Sequence, residues 1–230
     1  MRLAAIVPAR FESKRIPHKN FKLFDGKPMV QHVLETLEES LVFDSIYLST
    51  DAPQEKLTGL SPVVNILDRP EALAGDFSTI TQVVKDVIEQ VEAAGEAFDA
   101  YCLVYATSVL LTADIYCEAA TKFNLSVMDY LLSVTDYGHP VDRGFYLDEK
   151  FHLDVGTFDK SKRTQDFKSF YHDAGCFCFG AKEAWLGEQN IFGPKTEAMI
   201  LPRSSAVDID FPEDWQIAEA LFQLQQKVRD

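Results

Sequence analysis

Short continuous apolar runs alternate along the chain with stretches of helical period. Leu3 to Val7 is apolar throughout and stops at Pro8-Ala9-Arg10, the pattern of a strand buried on both faces. A polar loop then runs to Lys27. From Pro28, a residue suited to a first helical turn, Val30, Val33, Leu34 and Leu37 fall at helical spacing. Ser45–Ser49, ending in Thr50-Asp51, and Pro62–Leu67 read as further strands. Ile80, Val83, Val84, Val87, Ile88 and Val91 follow the i, i+3, i+4 rule behind candidate caps at Asp76 and Ser78. Tyr101–Tyr105 predicts another buried strand, and Asp114–Phe123 another helix.

Strand, loop, helix and strand in repetition predict βαβ crossovers and a mainly parallel sheet with helices on both faces, a three-layer α/β fold. The middle changes character. Ser126–Thr135, Arg143–Leu147 and Tyr171–Phe179 read as strands separated by polar turns. Residues from about 136 to 170 are therefore expected to form a hairpin-bearing extension of a single domain spanning 1–230. The tail predicts a strand at Ala198–Leu201 and a helix from about Pro212, with Ile217, Leu221, Leu224 and Val228 facing inward.

Composition then narrows the function. Apolar residues make up 47% of the chain and charged residues 25%, which excludes disorder, collagen and a disulfide scaffold. A net charge of −14 argues against nucleic acid or an anionic membrane as partner. Residues 1–30 nevertheless carry seven basic side chains (Arg2, Arg10, Lys14, Arg15, Lys19, Lys22, Lys27) against Glu12 and Asp25, so that segment is +5 and the remainder −19. Cations gathered in this way suit a small anion. Three of the four cysteines (Cys102, Cys117, Cys176, Cys178) sit in apolar runs and none form a CxxC pair, so buried reduced thiols are expected. The opening apolar run is too short for a signal peptide, and no run approaches a membrane span of about 18 residues. A cytoplasmic protein is expected.

In an open α/β sheet, ligands bind beyond the carboxyl ends of the strands. Three segments should meet there. Pro8 to Asn20, after the first strand, offers guanidinium, ammonium, hydroxyl and backbone N–H groups to a triphosphate, without a Walker or GxGxxG loop. Asp68-Arg69-Pro70 and the residues from Asp76 to Thr81 follow the third strand. Asp208-Ile209-Asp210 places two carboxylates at i and i+2, which in extended backbone face one side and can reach one hard divalent cation. The same pair also reads as the entry to the last helix.

In combination these segments resemble the acylneuraminate cytidylyltransferase family, whose members activate nine-carbon ulosonic acids. The matching residues are Pro8-Ala9-Arg10, Ser13-Lys14-Arg15-Ile16-Pro17 and Lys19-Asn20, continued by Leu23-Phe24, Gly26-Lys27-Pro28-Met29 and Ser49-Thr50-Asp51. Arg69-Pro70-Glu71, Leu73-Ala74, Asp76 and the run Val207 to Trp215 complete the likeness, which spans residues 3 to about 220. Tyr105-Ala106-Thr107 and Tyr171 to Phe177 are most similar to the branch acting on pseudaminic acid. The resemblance implies a Rossmann-like nucleotidyltransferase fold and a Mg²⁺-dependent transfer of CMP from CTP to the anomeric hydroxyl, for CMP-sugar and glycan synthesis. It places Arg10 and Lys19 on the phosphates and Asn20 and Arg69 on cytosine and ribose. Pro8, Ala9, Ser13, Thr79 and Tyr105 complete the nucleotide site. Asp208 and Asp210 would hold Mg²⁺, and with Arg10 and Lys19 would form the catalytic set. His172, Asp173 and Phe177 would face the sugar acid, or else pack as core. A homodimer through the extension is also implied, with Lys162 and Arg163 near the partner's site.

Three positions depart from the family pattern. Phe11-Glu12 stands where a glycine pair is common, although the branch acting on the eight-carbon acid Kdo also has an aromatic first. Ile80 replaces a small hydroxyl residue, leaving Thr79 or Thr81 to serve, and Val109 replaces a proline. These departures leave two alternatives: a non-catalytic nucleotide-binding relative, or an enzyme for N-acetylneuraminic, legionaminic or Kdo acids. A sugar-1-phosphate nucleotidyltransferase is disfavoured because its glycine-rich GxGTRL loop is absent.

Overall fold

The computed structural model describes residues 1–75, 78–154, 161–187 and 189–229. Among them, seven strands form one sheet: β1 (Leu3–Pro8), β2 (Ser45–Thr50), β3 (Asn65–Asp68), β4 (Ala100–Val104), β5 (Tyr130–Asp136), β6 (Tyr171–Ala181) and β7 (Thr196–Ile200). Their order is β7-β5-β6-β4-β1-β2-β3. Only β6 runs antiparallel to its neighbours β4 and β5 among these strands. The mainly parallel, mixed α/β sheet expected from the sequence is the one observed.

Four longer helices cover it: α1 (Met29–Ser40), α2 (Ile80–Ala93), α3 (Ala113–Lys122) and α4 (Pro212–Arg229). On β1, Leu3, Ala5 and Val7 face one core with α1, α3 and α4. Ala4 and Ile6 face a second core with α2. A strand buried on both sides reads as a continuous apolar run, which is why Leu3–Val7 shows no alternation. The second core is closed by Trp185, which packs edge-on against Tyr130 and donates its indole N–H to the Tyr101 carbonyl at 3.1 Å. Gly180 makes room for it: a Cβ there would meet the Trp185 indole and lie 2.7 Å from the Tyr130 ring.

Several expectations need correction. The third strand starts at Asn65, not Pro62, and is an exposed edge, with Ile66 open to solvent. β5 starts at Tyr130, because Asn124 to Asp129 turns instead. The cap of α2 is Thr79, in a reciprocal capping box with Gln82. The Ser78 hydroxyl donates to Ala72 instead, and Asp76 lies outside the described residues. Of the four positions expected to face inward on α4, Leu221 packs partly buried against the core, while Ile217, Leu224 and Val228 are exposed and the helix buries Trp215, Ala218 and Phe222 instead. Phe24 explains the choice: Trp215 and Phe222 both pack edge-on against its ring at 5.3 Å, so the largest side chains of the helix decide which face turns in. Cys117 is exposed, while the other three cysteines are buried, and all four are free thiols. In the extension, Tyr146–Leu147 pairs antiparallel with Leu153–Asp154 as a two-residue ladder in place of the strand expected at Arg143–Leu147.

Candidate active site at the strand ends

Beyond the carboxyl ends of β1, β2, β3 and β4 lies a cleft of about 710 Å³. Its first wall is the loop after β1. The Ala9 N–H donates to the Ser49 carbonyl, and Thr50 Oγ1 donates back to the Ala9 carbonyl at 2.6 Å. The Phe11 N–H donates to Asp51 Oδ1 at 2.7 Å. Asn20 donates its side-chain amide to the Arg10 carbonyl at 2.9 Å. The end of β2 and Asn20 therefore fix the loop, and Arg10, Ser13, Lys14, Arg15 and Lys19 line the cleft from it.

Phe11 and Glu12, which replace the glycine pair, are held outside the cleft. Phe11 stacks on His18 with centroids 4.2 Å apart and packs against Phe21. Glu12 is exposed and stands 3.9 Å from His18 Nδ1. Arg15, three residues beyond Glu12, lies 2.6 Å from Asp210 Oδ2.

Arg69 forms the second wall. It is buried, and its guanidinium donates to the Ser49 carbonyl at 3.0 Å. Burial lowers its pKa from the usual arginine value; Asp51 opposes the shift and Arg10 adds to it. Two guanidiniums close enough to repel each other, one of them largely desolvated, favour an anion between them. Leu73, Ile80 and Val83 make this side of the cleft apolar.

Opposite stand Tyr105, Asp173, Asp208 and Asp210. Burial, then Asp173, pushes the Tyr105 hydroxyl up to about 12, so it remains a neutral phenol. Asp173 reaches the cleft through a bulge in β6, where Gly175 at φ 60° donates its N–H to Asp173 Oδ1 at 2.8 Å. Asp208 has its pKa raised, first by desolvation among the cleft walls and then by Asp210. Two oxygen-donor carboxylates of this kind fit a hard divalent cation such as Mg²⁺. No group of three or more His, Cys, Asp or Glu side chains suited to a metal exists among the described residues. Mg²⁺ is commonly held by one or two carboxylates with water completing its shell, so this pair is compatible with it.

Ten expected site residues meet at the cleft: Pro8, Arg10, Ser13, Lys19, Asn20, Arg69, Tyr105, Asp173, Asp208 and Asp210. Four do not line it. The Ala9 side chain is buried and its backbone groups are already paired. Thr79 is spent on its cap, and Ile80 takes the cleft position beside it. His172 packs at a tilt against Tyr137, with ring centroids 4.7 Å apart. Phe177 is core, between Tyr116 and Phe179. Arg15 was missed as a cleft residue, although it belongs to the basic segment; its part in the site depends on Asp210, at the other end of the chain.

The mainly parallel sheet sets a cation loop at one strand end with paired carboxylates opposite, an arrangement suited to nucleotidyl transfer. A solved structure of a CMP:2-keto-3-deoxy-manno-octonic acid synthetase complexed with CTP shares this fold, with a TM-score of 0.71 and 14% identity over 98% of this chain and 100% of that one. The model of the family described as Cytidylyltransferase matches residues 4–225, and the chain belongs to that family. The pseudaminic acid cytidylyltransferase of Campylobacter jejuni subsp. jejuni serotype O:2 is 36% identical over 232 residues, covering 97% of each chain. An N-acylneuraminate cytidylyltransferase of Streptococcus agalactiae serotype V is 28% identical over 218 residues, covering 94% of this chain and 52% of that one.

Proposed function

We propose that the chain transfers CMP from CTP to the anomeric hydroxyl of pseudaminic acid, releasing pyrophosphate and forming a CMP-sugar for glycan synthesis. The observation that carries this reading is the meeting, across one cleft, of the loop cations Arg10, Lys14, Arg15 and Lys19 with the carboxylates Asp208 and Asp210. The choice of acid is supported by the 36% identity, along nearly the whole chain, to an enzyme named for pseudaminic acid.

In this reading Arg10 and Lys19 grip the triphosphate, Arg69 and Asn20 sit at the nucleoside end, and Tyr105 and Asp173 face the incoming sugar. The new bond joins the anomeric oxygen to the α-phosphorus, the bond from the α-phosphorus to the bridging oxygen breaks as pyrophosphate leaves, and the hydroxyl proton passes to solvent. Such a transfer needs charge neutralisation and in-line placement more than covalent help. Asp208 and Asp210 would hold Mg²⁺, which when bound would supply positive charge against the negative phosphate oxygens. The reduced cysteines and the CTP substrate suit the cytoplasm, and among the described residues no helix is long and apolar enough to cross a membrane. The working unit is a homodimer joined through the extension.

Pyrophosphate release tests the reading with CTP or UTP and a panel of pseudaminic, legionaminic, N-acetylneuraminic and Kdo acids. The expected result is turnover with CTP and pseudaminic acid at least tenfold above every other pair, since one unpaired buried polar group costs about 1–3 kcal/mol. Equal rates with UTP, or a clear preference for another acid, would overturn it.

A further inference from the structure

Arg15 and Lys19 both reach across the cleft to a single carboxylate. Arg15 lies 2.6 Å from Asp210 Oδ2, while Lys19 Nζ lies 3.2 Å from Asp210 Oδ1 and also donates to the Ile209 carbonyl. Both oxygens of Asp210 are therefore engaged by cations of the loop expected to hold the triphosphate. The Arg15 guanidinium also sits over the Phe211 ring, 5.2 Å from its centroid. Asp208, two residues earlier, makes no ion pair among the described residues.

These contacts conflict with the roles of their own members. A cation locked on Asp210 is not on phosphate, and a carboxylate covered by two cations is a poor ligand for a third. The pair can change partners, because the Arg15 and Asp210 side chains are 53% and 28% exposed and such pairs are weak and solvent-screened. A triphosphate carries several charges and accepts a guanidinium in bidentate fashion, so it outbids one carboxylate for Arg15.

We propose that Arg15 and Asp210 form a latch between the nucleotide loop and the metal position, a use of Arg15 that rests on the reading of Asp208 and Asp210 given above. In the nucleotide-free protein, Asp210 holds Arg15 and Lys19. The entering triphosphate takes both cations over, and the freed Asp210 joins Asp208 in binding the divalent cation. Nucleotide and metal then bind in positive linkage, each strengthening the other by the same factor. Metal alone meets a site whose second carboxylate is occupied.

Calorimetry of CTP binding in EDTA tests the latch without any metal. Asp210→Asn releases both cations and should bind CTP about fivefold tighter than the unaltered chain, the upper end for an exposed pair. Asp208→Asn removes an equal charge but no ion pair, and should gain less. In an Arg15→Met background the gain from Asp210→Asn should shrink. Equal gains from the two asparagine variants, or a gain undiminished in the Arg15→Met background, would overturn the latch. Circular dichroism checks each fold, and Arg15→Gln serves if the methionine variant fails. A second arm titrates Mn²⁺ alone by electron paramagnetic resonance, where Arg15→Met should bind more tightly than the unaltered chain. Mn²⁺ binding indifferent to Asp208→Asn would sink the metal reading itself, while the EDTA comparison would still decide the ion-pair exchange.

Discussion

Asp208 keeps its charge in an awkward place. Desolvation by the cleft walls leads the causes that raise its pKa, and Asp210 adds to them. A carboxyl whose folded pKa lies above its unfolded value favours folding while protonated, and that contribution is lost as pH rises through the folded pKa. At neutral pH the ionised Asp208 therefore works against the metal-free fold. Asp208→Asn should melt at a higher temperature than the unaltered chain at pH 7 in EDTA, with the gap closing toward about pH 4, where the unfolded carboxyl also takes up its proton. Thermal scans from pH 4 to 8 check this, and an asparagine variant that melts lower at pH 7 contradicts it. A group held at the expense of stability is the mark of a functional site, and the cation-rich loop that faces it was legible in the sequence. The cation excess of residues 1–30 and the i, i+2 carboxylates are both features of the sequence that meet at the cleft. The partner of Arg15 was not legible, because Asp210 sits at the opposite end of the chain.

The start of α2 shows how one element can serve fold and site with different residues. Thr79 accepts the Gln82 N–H at 3.3 Å and Gln82 Oε1 accepts the Thr79 N–H at 2.8 Å, closing the capping box. Ile80, the next residue, turns into the cleft. Thr79→Ala should therefore lower stability by about 1 kcal/mol, the usual worth of such a cap. Its kcat/KM for CTP should stay within about twofold at a temperature where both proteins are folded, and Thr79→Ser should restore the stability. A tenfold loss of kcat/KM in folded Thr79→Ala would return Thr79 to the nucleotide site. The sequence placed a hydroxyl near this wall correctly but could not show that capping claims it first. The same limit appears in α4, where two apolar stripes share one helix. Periodicity weighs Ile217 and Leu224 like any other apolar residue, whereas the fold selects the stripe with Trp215 and Phe222, because Phe24 offers them an aromatic seat. Strands β1, β2 and β4 were read closely, since burial on both faces leaves their sequences little freedom.

Over the whole molecule, charge and apolar surface are divided unevenly in a way that bears on assembly. Residues 136–170 hold six basic and seven acidic side chains, a net of −1, so the rest of the chain carries −13. The same segment exposes Phe145, Tyr146, Leu147, Phe151, Leu153 and Phe170, with Tyr146 at 83% and Phe151 at 80%. Phe151 also holds a left-handed backbone at φ 62°, an unusual state for a bulky residue. Exposed apolar side chains gathered in one segment suit an interaction surface. The extension is nearly neutral and exposes apolar side chains, so two copies can meet through it without bringing like charges together. The homodimer proposed above should therefore form through it. Sedimentation velocity at micromolar concentration should show a dimer whose affinity changes little between low and high salt, because apolar contact and not charge holds it. The double variant Tyr146→Ser, Phe151→Ser should sediment as a folded monomer, since each exposed ring buried in such a contact contributes roughly 1–3 kcal/mol. A monomeric unaltered chain, or a dimer indifferent to both substitutions, would place the contact elsewhere or remove it.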